Sequence, residues 1–196
     1  MPISYDQIAP RYENSIQPLE RWFLRDLRKE AIAALPPNGR ILELGAGTGL
    51  NFPFYDAELN GVAVEPSTGM LRFAIHKAKP AALTLVQGCG ESLPFASDTF
   101  DALLATLVLC SVQSPEDVFG EIRRVVRPGG TISLLEHVRP HNVLGPVFDL
   151  LSLMTVPLFG DHMNRQTSKI AERSGLKIMK VRRGRLGIHN VITCVV

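Results

Sequence analysis

The chain has 196 residues, 45% of them hydrophobic and 20% charged, enough to bury the core of one compact domain and too short to call for a second. A formal charge of +2 argues against a nucleic-acid partner, which would need a clustered basic face. Cys89, Cys110 and Cys194 lack the paired spacing of a metal or redox site and fit a reducing cytoplasm. The first residues show neither the basic start nor the apolar stretch of a signal peptide.

From Pro18 to Leu35, the apolar residues Leu19, Trp22, Phe23, Leu27, Ala31 and Leu35 recur near the spacing of one helical face. Arg21, Arg25, Arg28 and Lys29 fall largely off that face. Pro36-Pro37-Asn38-Gly39 stops the helix, and Ile41 to Leu44 reads as a strand entering the turn Gly45-Ala46-Gly47-Thr48-Gly49. Gly61 to Glu65 is a second strand tipped by a carboxylate. Leu83 to Gln87 and Phe100 to Leu109 read as the third and fourth strands.

Ser114 as N-cap and Pro115 at the first helical position open a helix that extends to Arg127. Thr131 to Leu135 is the fifth strand. The apolar stretch from Val143 to Phe159 is broken by Gly145, Pro146, Asp149 and Pro157, which excludes a membrane-spanning helix. It reads either as a lid over a hydrophobic acceptor or as core packing. Gln166 to Ser174 is a short helix ended by Gly175. Leu176 to Val181 and Asn190 to Val196 are strands joined closely enough to pair antiparallel. Lys177, Lys180, Arg182, Arg183 and Arg185 defend this edge by charge in the preferred reading, and meet an anionic surface in the other. Strands alternating with helices predict an α/β fold with a mostly parallel sheet covered on both faces.

The glycine turn and Glu65 are the chemical core of the sequence. Without a Cβ, backbone can pass close to a ligand, and a carboxylate about 20 residues past the first glycine can accept both hydrogen bonds of a ribose diol. Dinucleotide sites space their glycines as Gly-x-Gly-x-x-Gly ahead of a regular helix. Here the third glycine comes one residue early, and Pro53 in Asn51-Phe52-Pro53-Phe54 disfavours helix where a pyrophosphate-binding helix belongs. The pattern favours a nucleoside ligand without a pyrophosphate. A dehydrogenase is the distant reading.

Glu43-Leu44-Gly45-Ala46-Gly47-Thr48-Gly49, Glu65-Pro66-Ser67, Gly90-Glu91-Ser92-Leu93-Pro94-Phe95 and Arg127-Pro128-Gly129-Gly130 together resemble the class I S-adenosylmethionine (SAM) methyltransferases of the type 11 subgroup. The resemblance implies a Rossmann-like three-layer sandwich whose seven-stranded sheet carries one reversed C-terminal strand. It implies one methyltransferase domain over 1–196, with a cap and helix to 36, a SAM-binding core over 37–138, a substrate lid over 139–165 and a C-terminal helix and strand pair over 166–196.

It also implies SAM as cofactor, with S-adenosylhomocysteine as product. The cofactor contacts fall to Tyr5, Tyr12, Glu43, Gly45, Ala46, Gly47, Gly49, Asn51, Glu65, Pro66, Met70, Gly90, Glu91, Ser92, Thr106 and Leu107. Tyr5-Asp6-Gln7-Ile8-Ala9-Pro10-Arg11-Tyr12 resembles the entry motif of small-molecule methyltransferases, whose aromatics close over the cofactor, and Tyr12 can meet the sulfonium through its ring face. Packing of an N-terminal arm is the bland alternative.

Where the family usually places an acidic adenine contact, this chain has Cys89, a poor acceptor, so Ser92 or a backbone carbonyl must replace it. Glu91 is either a cofactor contact or a turn carboxylate. His137, just beyond the fifth strand, is either a base for a protonated acceptor or a structural histidine. No metal site is expected.

The segments Thr106 to Val112, Leu135 to Val138 and Asp161 to Arg165 look most like bacterial phosphatidylethanolamine N-methyltransferases and small thiol S-methyltransferases. The expected acceptor is therefore small or hydrophobic, first an ethanolamine phospholipid amine, otherwise a thiol or a quinone carbon. A cytoplasmic protein with peripheral membrane contact follows, while oligomeric state leaves no signal. A module that binds SAM or another nucleotide without turnover is the alternative from a different class.

Overall fold

The computed structural model describes residues 5–140, 145–159, 161–184 and 187–196. Seven strands form one sheet: β1 (Arg40–Leu44), β2 (Asn60–Glu65), β3 (Leu83–Gln87), β4 (Phe100–Thr106), β5 (Val126–His137), β6 (Lys177–Arg183) and β7 (His189–Val195). Their order is β3-β2-β1-β4-β5-β7-β6. The first five run parallel, whereas β7 is antiparallel to both β5 and β6. The sheet is the three-layer α/β arrangement with a reversed C-terminal strand that the sequence predicts.

Six α-helices accompany it among the described residues: α1 (Tyr5–Leu19), α2 (Arg25–Ala33), α3 (Thr68–Ala74), α4 (Pro115–Val125), α5 (Gly145–Phe159) and α6 (Thr167–Arg173). Alternation along the strands sends successive side chains to opposite faces. On one face Leu104, Leu135 and Val191 pack against Leu24, Leu27 and Ala31 of the N-terminal helical segment. On the other, Leu103, Leu134 and Ile192 pack against Val118, Phe119, Ile122 and Ala171 of α4 and α6.

Several predicted boundaries move. The N-terminal helix does not begin at Pro18 but runs from Tyr5, with Pro10 and Pro18 inside it. Pro18 has no N–H for the helical ladder, and a π-helical turn over Glu20–Leu24 follows it before α2 resumes. Arg28 is not off the packed face: it is 3% exposed, in register with buried Leu24 and Ala31. Strand β4 ends at Thr106 rather than Leu109, because Leu107 takes a left-handed φ of 58°. Helix α4 stops at Val125, since Val126 is already extended and pairs with Phe100. Strand β6 spans Lys177–Arg183 and β7 starts at His189.

The apolar stretch after β5 is helix α5. Residues 141–144 and Gly160 at its ends lie outside the described residues, as does Arg185 of the basic edge. On that edge, Arg182 pairs with Glu30 at 2.8 Å. No helix among the described residues is long and apolar enough to cross a membrane.

Candidate active site

The strand order reverses between β1 and β4, and the crevice beyond the carboxyl ends of these strands is where open α/β sheets bind ligands. A cavity of about 460 Å³ occupies it. Gly45, Gly47 and Gly49 all have positive φ, which curls the turn after β1 beneath this cavity. The Gly45 and Ala46 N–H groups donate to the Val64 carbonyl at 2.8 and 3.0 Å, pinning the turn to β2.

Glu65 closes the other side. One carboxylate oxygen accepts from the Gly47 N–H and the other from the Ser67 N–H, both at 2.9 Å. Burial raises its pKa, against the lowering effect of these two donors. A carboxylate offers about four acceptor positions, so two remain for a diol.

The N-terminal helix lies over this floor. Asp6 accepts from the Ser67 hydroxyl at 2.7 Å and the Gly69 N–H at 2.6 Å, which clamps α1 to the start of α3. These donors hold the Asp6 pKa below its ordinary value. Tyr5 and Tyr12 on the same helix line the cavity. Burial pushes the Tyr12 phenol up to about 12 and Tyr5 higher still, so both keep their protons at neutral pH.

Of the expected cofactor contacts, Tyr5, Tyr12, Gly45, Gly47, Glu65, Pro66, Met70, Gly90, Glu91, Thr106 and Leu107 line the cavity. Glu43, Ala46, Gly49, Asn51 and Ser92 do not. Glu43 and Asn51 lie beneath the turn: Asn51 Nδ2 donates to Glu43 at 2.6 Å and to the Thr106 hydroxyl at 3.1 Å. Arg28 donates to Asn51 Oδ1 at 2.6 Å and to Thr106 at 2.9 Å, and pairs with Glu20. Burial raises the Glu43 pKa to about 7. These residues shape the floor from below because the chain buries their polar ends against one another.

Cys89 lines the cavity with Gly90 and Glu91, and Glu91 accepts from the Gln113 N–H at 3.1 Å. Glu91 is thus both a wall residue and a turn carboxylate.

His137 stands at the predicted strand end but is absent from the cavity wall. Its ring stacks on Phe148 of α5 and meets His189 edge to face, each at 5.2 Å between centroids. Burial, and next the neighbouring His189, lowers its pKa to about 4. Its ring thus packs between Phe148 of α5 and His189 at the start of β7.

Sequence reasoning singled out Thr106 to Val112 as a segment shared with two groups of methyltransferases, but named no site residue in it beyond Thr106 and Leu107. Val108, Ser111, Val112 and Gln113 join Leu107 in the wall. Glu136 accepts from the Val108 and Leu109 N–H groups at 3.0 Å each, and Arg165 donates to the Leu109 and Val112 carbonyls. The legible signal was the placement of this loop across the switch point from the glycine turn. Its shape depends on residues distant in sequence.

Residues 42–134 match the family model of a methyltransferase domain. The chain is 32% identical over 176 residues to a demethylmenaquinone methyltransferase of Renibacterium salmoninarum, covering 87% of this chain and 68% of that one. It is 36% identical over 145 residues to thiol S-methyltransferase TMT1B of Mus musculus, covering 70% of this chain and 59% of that one. Among solved structures, a chain of the Haloferax volcanii complex of the Trm112 activator with a methyltransferase superposes with a TM-score of 0.80 at 16% identity, covering 100% of this chain and 98% of that one. The Haemonchus contortus phosphoethanolamine N-methyltransferase 2, solved with SAM, superposes with a TM-score of 0.69 at 21% identity, over 92% of this chain and 46% of that one.

Proposed function

The chain belongs to the class I SAM-dependent methyltransferases, and from that premise we propose that it methylates a small hydrophobic thiol. When bound, SAM supplies a methyl group already activated on a sulfonium. The protein's part is to hold donor and acceptor in line and exclude water.

Two features of the chain fit this cofactor. The space where a Gly47 side chain would stand has no atom within 4 Å, and Glu65 retains acceptor positions toward the cavity. We assign Glu65 to the ribose hydroxyls, the turn Gly45 to Gly49 to the methionine part, and Tyr5 and Tyr12 to closing the pocket from above. Glu43, Asn51 and Ser92 then act on the site from outside its wall. His137 is assigned to positioning α5, not to proton transfer.

The observation that carries the acceptor class is the make-up of the cavity wall. Its two carboxylates are already engaged, Glu65 by two backbone N–H groups and Glu91 by the Gln113 N–H, and no histidine among the described residues lines it. An acceptor that sheds its own proton readily suits such a wall. Thiols ionise near pH 8.5, phenols near about 10 and alkylammonium groups near about 10.4. Apolar Leu107, Val108 and Val112 provide for its hydrophobic body.

Carbon methylation of a quinol is the second reading, supported by the relative that covers 87% of this chain. The ethanolamine phospholipid amine anticipated from the sequence ranks third, since its ammonium demands the strongest base. The exposed apolar side chains of α5 support peripheral membrane contact by a cytoplasmic protein.

Labelled-methyl transfer from SAM to alkyl thiols, a demethylated quinol and ethanolamine-lipid vesicles tests the proposal. The expected result is thiol methylation that quickens as pH approaches the thiol pKa. Quinol labelling without thiol labelling would select the second reading. SAM binding with no acceptor labelled would leave a non-catalytic module.

A further inference from the structure

Thr106 ends β4 in the wall of the cavity. Its hydroxyl oxygen accepts two hydrogen bonds, from Arg28 Nη1 at 2.9 Å and from Asn51 Nδ2 at 3.1 Å. The Asn51 amide is fixed in that sense, because its oxygen accepts from Arg28 at 2.6 Å and its nitrogen donates to Glu43 at 2.6 Å. A threonine hydroxyl has two lone pairs and one proton, so both acceptor positions are filled and only the donor is left. The network offers that proton no acceptor: Arg28 and Asn51 meet the hydroxyl as donors, and the second Glu43 oxygen is not bonded to it. The proton is left for a group in the cavity.

The donor is backed by charge. Arg28 is 3% exposed, and its Nη1 hydrogens go to Asn51 and Thr106. A hydroxyl that accepts from a guanidinium becomes a stronger donor, since linked hydrogen bonds polarise one another. The charge is felt at the cavity wall: burial raises the Tyr12 pKa, and Arg28 opposes that rise.

Strand register fixes where the donor stands. Leu44 pairs with Val64 on one side and Ala105 on the other, so Glu65, Gly45 and Thr106 stand abreast at the next position. Strands lie about 4.8 Å apart, which puts Thr106 about 10 Å from Glu65 across the glycine turn. It therefore faces the end of the cavity remote from the ribose carboxylate, and it runs directly into apolar Leu107 and Val108.

We propose that the Thr106 hydroxyl, with Arg28 behind it, donates a hydrogen bond to the sulfur of a thiolate acceptor and so selects an anionic acceptor over an ammonium. This rests on the thiol reading of the function. An ammonium brings only donors, and Thr106 has no lone pair left to receive one. Thr106 keeps its own proton. The thiol proton leaves to solvent, and the hydrogen bond stabilises the anion that remains. Arg28 is a positioning residue that acts through Thr106.

Absorbance titration of an aryl thiol bound together with S-adenosylhomocysteine reads the thiolate without turnover, and the neutral sulfur of that product adds no charge of its own. In the wild type the bound thiol should ionise about one pH unit below its value in buffer, the size expected of a hydrogen bond to a charged group. Thr106→Val should abolish the shift and Thr106→Ser should keep it. Calorimetry should give both variants a SAM affinity close to that of the wild type.

A shift that survives in Thr106→Val overturns the proposal. Loss of SAM affinity in that variant with the thiol shift retained overturns it too, and reassigns the donor to the carboxylate of the cofactor. Should Thr106→Val fail to fold, the wild-type titration still decides, because ionisation at or above the free value overturns the proposal. A thiol that is methylated but ionises unshifted overturns this inference alone. Thiols that neither bind nor accept a methyl group overturn the acceptor class with it.

Discussion

Arg28 donates to the Asn51 carboxamide at 2.6 Å, and Asn51 donates in turn to Glu43 at 2.6 Å, so one residue bonds the N-terminal helical segment to the strand beneath the glycine turn. Removing one member of a buried charged network leaves the others uncompensated. Arg28→Ala should therefore lower stability by about 3 kcal/mol and weaken SAM binding by disturbing the turn. Urea unfolding and calorimetry measure the two effects. An unfolding midpoint equal to that of the wild type would deny the network its structural role.

Gly47 and Gly49 separate binding from folding. A side chain at Gly47 meets nothing within 4 Å, whereas one at Gly49 would come within 2.6 Å of the Phe52 ring. Gly47→Ala should cost only about 1 kcal/mol, the penalty of its left-handed backbone, while sharply reducing SAM affinity. Gly49→Ala should lose more stability, because its clash is with core packing. Thermal melting and calorimetry on both variants give the comparison, and the reverse ranking would contradict the geometry.

Glu65 holds the turn and is assigned to the ribose. Glu65→Gln should reduce SAM affinity by about 10- to 100-fold, the range expected when hydrogen bonds to a charged acceptor are weakened. An unchanged affinity would remove Glu65 from the cofactor site.

Asp6 clamps the tyrosine-bearing helix. Asp6→Ala should speed amide hydrogen exchange over residues 5–19 and raise the SAM dissociation constant without loss of the global fold. Exchange confined to the wild-type pattern would show that the clamp is dispensable.

Buried acids and bases set opposing pH dependences. Burial moves Glu43 and Glu136 from 4.5 to about 7, so between these values the folded protein binds more protons than the unfolded chain and stability falls as pH rises. His137 and His189 move from 6.5 to about 4, so there the folded protein binds fewer protons and stability grows as pH rises. Raised Glu65 joins the first group and lowered His162 the second. The two trends largely oppose each other between pH 4.5 and 6.5. Urea unfolding across that window should give a nearly flat profile for the wild type, a rising one for Glu136→Gln and a falling one for His137→Phe. Identical profiles for all three would refute the assignment.

Much of the binding floor was legible in the sequence. The run Ile41 to Gly49 declares a strand and a glycine turn, and Glu65 stands at the right separation on the next strand, because β-alternation and glycine's backbone freedom are local properties. The N-terminal helix was harder to read. Pro18 signals a start when considered locally, whereas the π-helical turn at Glu20–Leu24 carries the helix past it. Arg28 was misplaced because charge implied exposure, although Leu24, Arg28 and Ala31 follow the spacing of a buried stripe.

The sequence by itself determined the sheet, the glycine cradle and the methyltransferase family, since each rests on residues close in the chain and in a fixed order. Only the tertiary structure decided that Glu43 and Asn51 support the cradle from below, that His137 packs against α5, and that Glu136 and Arg165 shape the wall after β4. Those roles depend on which polar groups meet when strands distant in sequence become neighbours. A buried polar group is defined by the partner it finds, and no local pattern names that partner.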